Sequence, residues 1–311
     1  MRRAPAGPVS TAPPLSSPSV SPRAAYILLG LVMVLWGVNW PVMKVGLGFI
    51  SPLTFAAARM VMGAVILSAV AAFLGEMRWP KRQDWSIVLG VGLIQMAAFM
   101  GLTTVALQFV PAGRSAILAY TTPLWVTPLA IYGLGERLNR LKLYGLFGGL
   151  GGVAVLFNPF GFDWRAPRVL LGNGLLLGAA LLWALLIVQV RRHRWQGSPL
   201  SLGPWQFAVA AAALVPLAAV FEADRPWRWS SELGWVLLYN GPLATAFCFW
   251  AMLTVNRALP AITTSLASLG VPAVGLLAAT LALGEPVTLT NGLGFLLIAG
   301  GVLCVALADR P

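Results

Sequence analysis

The sequence predicts an all-α membrane protein: ten transmembrane helices, built as two five-helix inverted repeats, with both termini in the cytoplasm. Three observations predict it. Apolar runs long enough to cross a bilayer follow one another along almost the whole chain. Basic residues are shared unequally between alternate loops. The second half repeats landmarks of the first.

Composition fixes the solvent first. Of 311 residues, 59% are hydrophobic and 10% charged. Soluble domains carry about 25% charged residues, so this chain lacks the polar groups to cover a water-facing surface. The net charge of +12 would point to nucleic acid in a soluble protein. Here the basic residues stand in short loops between apolar runs, so a lipid bilayer is the expected partner and nucleic acid is not. Cys248 and Cys304 lie inside apolar runs and read as small buried residues, with no disulfide, metal site or cofactor expected. Residues 1–23, rich in Pro, Ser and Ala, read as a disordered cytoplasmic tail.

A spanning helix needs about 20 mostly apolar residues. The runs that meet this are 24–44, 52–74, 86–107, 113–133, 143–157, 170–190, 204–221, 233–253, 261–283 and 290–308, the fifth being short. They show no strict alternation, and lipid offers no partner for open backbone groups, so helices rather than barrel strands follow.

The basic residues orient the chain. With the N-terminus inside, fourteen fall on the cytoplasmic side, among them Arg23, Arg78, Lys81, Arg82, Arg137, Arg140, Lys142, Arg191, Arg192, Arg194 and Arg257. Six fall outside: Lys44, Arg114, Arg165, Arg168, Arg225 and Arg228. That bias places both termini in the cytoplasm.

The repeat appears when the chain is shifted by 149 residues. Pro111-Ala112 then meets Pro260-Ala261, Pro123 meets Pro272, Gly135-Glu136 meets Gly284-Glu285, and Gly151-Gly152-Val153 meets Gly300-Gly301-Val302. A shift of 147 puts Trp36 on Trp183 and Arg59 on Gln206. Five helices is an odd number, so halves 24–158 and 169–308 must lie in opposite orientations, an arrangement found in many secondary transporters.

With Leu35-Trp36-Gly37-Val38-Asn39-Trp40-Pro41, Ser51-Pro52 followed by Arg59, the Pro-Ala…Pro…Gly-Glu pattern of each half, and Leu182-Trp183-Ala184 before Arg191-Arg192, the chain resembles the EamA-type branch of the drug/metabolite transporter superfamily. The resemblance covers nearly everything after residue 24. It implies ten helices, a central cavity with alternating access, and movement of metabolites, often outward. An amino acid or related zwitterion is the expected small-molecule substrate. A multidrug or nucleotide-sugar-like carrier of the same fold is the alternative, and a non-transporting membrane scaffold the alternative from another class. An enzyme is not expected: the single His lies in a loop, and no HExxH, GxSxG or acidic pair lies within a span.

Candidate site residues follow from polarity inside apolar runs. Arg59 is the one charge well inside a span, where an unpartnered charge costs several kcal/mol. Its fork suits a carboxylate or phosphate; the rival role is tying helix ends together through carbonyls. Trp36 and Trp40 share a face at i, i+4 spacing with Asn39 beside them. Gln95 and Phe99 share a face of the third helix. Tyr120, Asn240, Trp250 and Ser268 complete the cavity candidates. Pro123 and Pro272, recurring at equivalent mid-helix places, are hinge candidates, since proline removes a helix hydrogen bond. Gly145, Gly149, Gly151 and Gly152, with Gly294, Gly300 and Gly301, give the fifth and tenth helices small-residue faces for packing within the chain or for a homodimer. Glu136 and Glu285 read as loop anchors. No Asp or Glu lies mid-span, which argues against a proton-coupled carrier of organic cations.

Overall fold

The computed structural model describes residues 20–157, 166–225, 227–283 and 289–308. Most of the tail, Arg165, Glu285 and Arg310 lie outside the described residues.

The described residues are helical and turn throughout, with no strand among them. In chain order the helices are α1 (Pro22–Gly46), α2 (Pro52–Phe73), α3 (Arg82–Ala106), α4 (Ala112–Ala119), α5 (Thr122–Leu134), α6 (Arg140–Phe157), α7 (Pro167–Arg192), α8 (Pro199–Phe221), α9 (Ser231–Ala258), α10 (Ala261–Ala267), α11 (Gly270–Leu283) and α12 (Leu289–Ala308). Among the described residues, seven stretches are long and apolar enough to cross a membrane: α1, α2, α3, Ser115–Leu134, α7, α8 and α9. Shorter apolar helices accompany them, among them Ala261–Gly275 and Gly292–Val305.

Helix starts are set by local chemistry. α1, α2, α7 and α8 each begin on a proline, whose missing N–H costs nothing in the first turn. Ser21 and Ser198 accept from the backbone N–H three residues on, at 3.3 and 3.0 Å. α5 ends on Gly135 in the left-handed conformation (φ +68°).

Two features were not legible in the sequence. Residues Gly90–Ala98 of α3 and Tyr239–Phe247 of α9 are wound as π-helix. Both are nine residues long and start 149 positions apart. A π stretch is wider than an α turn and is frequent at functional sites.

The prolines correct an expectation. The sequence places Pro123 and Pro272 at mid-helix breaks. The breaks fall two to four residues earlier, at Tyr120–Thr121 and at Ser268–Leu269, and each proline stands in the first turn of the helix that follows. Proline settles where no N–H is required. The carbonyls around the breaks are taken by hydroxyls: Thr121 donates to Leu118 O at 2.8 Å, Thr122 to Ala119 O at 3.0 Å, and Ser268 to Ser265 O at 2.7 Å.

Packing puts α6 against α12, α2 against α8, and α1 against α11. The α6–α12 contact is made by glycines. A Cβ at Gly152 would stand 2.7 Å from Gly294 O, and one at Gly301 would stand 2.7 Å from Gly149 N. The glycine faces, expected to serve packing within the chain or a homodimer, thus largely meet each other inside the chain, where two backbones approach too closely for side chains. Gly151 and Gly300 have nothing within 4 Å.

Candidate functional site

α1, α2, α3, the α4–α5 break, α7 and α9 line a narrow cavity with about 30 Å³ of free space, room for a water or two rather than for a whole substrate. Its aromatic wall is made by Trp36, Trp40, Phe99, Tyr120, Trp183 and Phe249. These rings hold one another edge to face. Trp36 lies 5.4 Å from Trp183 and 5.6 Å from Phe249, and Trp40 lies 6.5 Å from Tyr120. Such pairs contribute about 0.5–1.5 kcal/mol each beyond burial, so the wall is stiff. Trp36 is fixed further by its indole N–H, which donates to Ala244 O in the π segment of α9 at 2.9 Å.

Arg59 is fully buried and lines this cavity. Its Nε donates to Thr245 Oγ1 at 2.9 Å, again in the π segment of α9. Its Nη1 lies 2.8 Å from Met43 Sδ and 3.1 Å from Met100 Sδ. Its Nη2 has no partner. The expected helix-tie through carbonyls is therefore not what holds it: the acceptors are one hydroxyl and two thioethers, and thioethers are weak acceptors. Asn39 also lines the cavity, 4% exposed, with its Oδ1 unpartnered. A buried donor and a buried acceptor thus await partners in one chamber, each worth about 1–3 kcal/mol when satisfied.

Six of the ten expected cavity residues meet here: Trp36, Asn39, Trp40, Arg59, Phe99 and Tyr120. Four do not. Gln95 and Asn240 are buried inside the π segments and away from the lining; Asn240 Nδ2 donates back to Val236 O at 3.0 Å. Trp250 packs on Phe247, while its neighbour Phe249 faces the cavity. Ser268 bonds back to its own chain. Sequence reasoning missed Met43, Met100, Thr103, Ala119 and Phe249 as lining. Trp183 was legible as the counterpart of Trp36 and as part of the Leu182-Trp183-Ala184 motif, but not as a cavity residue. Lys44 donates to Leu107 O and so ties the end of α1 to the end of α3.

At the ends of the helices, acidic groups close contacts between the halves. Glu222 accepts from Leu53 N at 3.0 Å, Thr54 N at 2.8 Å and Thr54 Oγ1 at 2.8 Å, capping α2 from the end of α8. Burial pushes its carboxyl up, but the hydrogen bonds from Ser51, Leu53 and Thr54 outweigh this and hold it below the ordinary value. Glu136 accepts from Ala261 N at 2.7 Å and Ile262 N at 3.0 Å, the anchoring role expected of it. Asp84, fully buried, takes His193 Nε2 at 3.0 Å, Gln196 N at 3.1 Å and Gly197 N at 2.9 Å.

Comparison with known proteins agrees with this architecture. The sequence profile of the EamA-like transporter family matches residues 23–158 and again 170–307. The chain is 31% identical over 280 residues to the uncharacterized transporter YoaV of Bacillus subtilis strain 168, covering 89% of this chain and 95% of that one. It is 28% identical over 292 residues to a probable amino-acid metabolite efflux pump of Escherichia coli K12, covering 89% and 92%. A solved crystal structure with 23% identity matches at a TM-score of 0.74, covering 93% of this chain and 99% of that one, which speaks for the fold.

Proposed function

The chain belongs to the EamA-like transporter family and is a multi-pass protein of the cell membrane, and from that premise we propose that it carries an amino acid or related zwitterion outward by alternating access. The moving parts are two five-helix halves, 24–158 and 169–308, in opposite orientations with both termini cytoplasmic. The relatives are named as transporters, including an amino-acid metabolite efflux pump, which favours transport over catalysis.

One observation carries the substrate reading. Arg59 Nη2 and Asn39 Oδ1 are both buried, both unpartnered and both on one cavity. The guanidinium offers a donor to a carboxylate and the amide oxygen an acceptor to an ammonium. The aromatic wall takes the side chain. Among the described residues no acidic one lines the cavity, so an organic cation would meet Arg59 with no counter-charge, which disfavours the multidrug alternative.

The test is a thermal-shift series on the purified protein with phenylalanine, phenethylamine and hydrocinnamate. Phenylalanine should raise the melting temperature most, and phenethylamine, which lacks the carboxylate, should not raise it at all. Equal shifts with phenylalanine and phenethylamine would remove the anion-binding role of Arg59.

A further inference from the structure

Gln206 is fully buried, and both polar atoms of its side chain lack partners. Each such atom has given up its water without gaining a partner; a leucine there would pack without that cost. Its position explains it. Gln206 stands seven residues from the start of α8, as Arg59 stands seven from the start of α2, 147 positions earlier. Each meets a π segment of the opposite half, Arg59 through its Nε on Thr245 and Gln206 through its backbone carbonyl beside Gly92. A Cβ on Gly92 would lie 2.7 Å from Gln206 O and 2.8 Å from Val209 Cγ1. A Cβ on Gly241 would lie 2.9 Å from Sδ of Met62, the residue that matches Val209. The two helix contacts are therefore the same backbone construction made twice, once with an arginine that lines a cavity and once with an amide buried without a partner.

We propose that Gln206 is the contact point of a second binding position, which opens to the cytoplasm when the Arg59 cavity closes, and which recognises the substrate by neutral hydrogen bonds. This rests on the two-half reading above and not on the amino-acid assignment. An amide donates and accepts without charge, so the substrate's anion is held by a full charge on the outer side and by a dipole on the inner side.

Sided cysteine labelling tests this without a substrate. In a Cys248→Ala, Cys304→Ala background, Gln206→Cys is treated with a membrane-impermeant sulfonated methanethiosulfonate in inside-out and right-side-out vesicles. Arg194→Cys and Arg228→Cys, both on exposed residues, report the two faces. Gln206→Cys should react at least about tenfold faster from the cytoplasmic face, and Arg59→Cys at least about tenfold faster from the outer face. A Gln206→Cys thiol silent from both faces, or reacting from the outside, overturns the proposal. Should that variant fail to insert, Val209→Cys, whose native side chain meets Gly92, takes its place under the same criteria. The phenylalanine series is independent of this result, so either reading can fail alone.

Discussion

The cavity around Arg59 and the helix end around Asp84 both bury a charge, and they treat it in opposite ways. Asp84 has three donors, at 2.9 to 3.1 Å. Around it, Trp205 Nε1 donates to Arg78 O at 2.8 Å, and Trp79 and Trp205 meet edge to face with centroids 4.3 Å apart. Arg59 has one hydroxyl and two sulfurs, with Nη2 left over. A buried charge that is fully paired locks elements together, and one that is partly paired keeps binding capacity for a guest. The first region is built for closure and the second for occupancy.

Four experiments bear on that contrast. The largest effect is expected at Arg59. Arg59→Lys keeps the charge but loses the fork, so transport of a carboxylate substrate in proteoliposomes should fall about tenfold or more while the melting temperature holds. A loss of melting temperature that tracks the loss of transport for every substrate would make Arg59 a lock like Asp84. Next is Asp84→Ala, which strands three donors and should destabilise by about 3 kcal/mol, read as an earlier thermal transition in detergent. An unchanged transition would mean the helix end is not held by that carboxylate. Trp205→Phe keeps the aromatic contact and removes the bond to Arg78 O, so a loss of about 1 kcal/mol is expected. A loss as large as that of Asp84→Ala would place the lock in the tryptophans instead.

The smallest effect concerns Glu222 and pH. Its folded-state pKa lies below the ordinary 4.5. Its stabilising contribution is therefore present above that ordinary value and is lost as pH falls through the lower, folded one. Glu222→Gln should melt earlier than the parent near neutral pH, and the gap should narrow as pH drops below 4.5. A gap that is constant with pH would show that the carboxylate charge is not what caps α2.

Much of this was legible in the sequence, for identifiable reasons. Spans and landmark repeats are compositional, and so survive without knowledge of packing. Arg59, Asn39, Trp36 and Trp40 stood out because polar and large aromatic groups inside apolar runs have few places to go. What failed was angular phase. A π stretch turns fewer degrees per residue than an α-helix, so α-helical spacing does not carry a face through 239–247, and beyond it Phe249 rather than the candidate Trp250 lines the cavity. Gln95 was misplaced for the same reason, since it lies inside 90–98. No residue type specifies i→i+5 bonding, although Gly90, Gly92, Gly241 and Pro242 mark both stretches. Met43 and Met100 were invisible because nothing in a thioether's sequence context separates lining from filling.

Those two methionines give the cavity a chemical weak point. Sulfur is the softest acceptor in the chamber, and both side chains are nearly closed to solvent. An oxidant small enough to enter would convert a thioether into a sulfoxide, whose oxygen is a strong acceptor. Held by that oxygen, the Arg59 guanidinium would lose its hunger for a guest, and the added atom would occupy the guest's space. Peroxide treatment should therefore abolish transport without unfolding the protein, methionine sulfoxide reductase should restore it, and a Met43→Leu, Met100→Leu double variant should keep its activity through the same exposure.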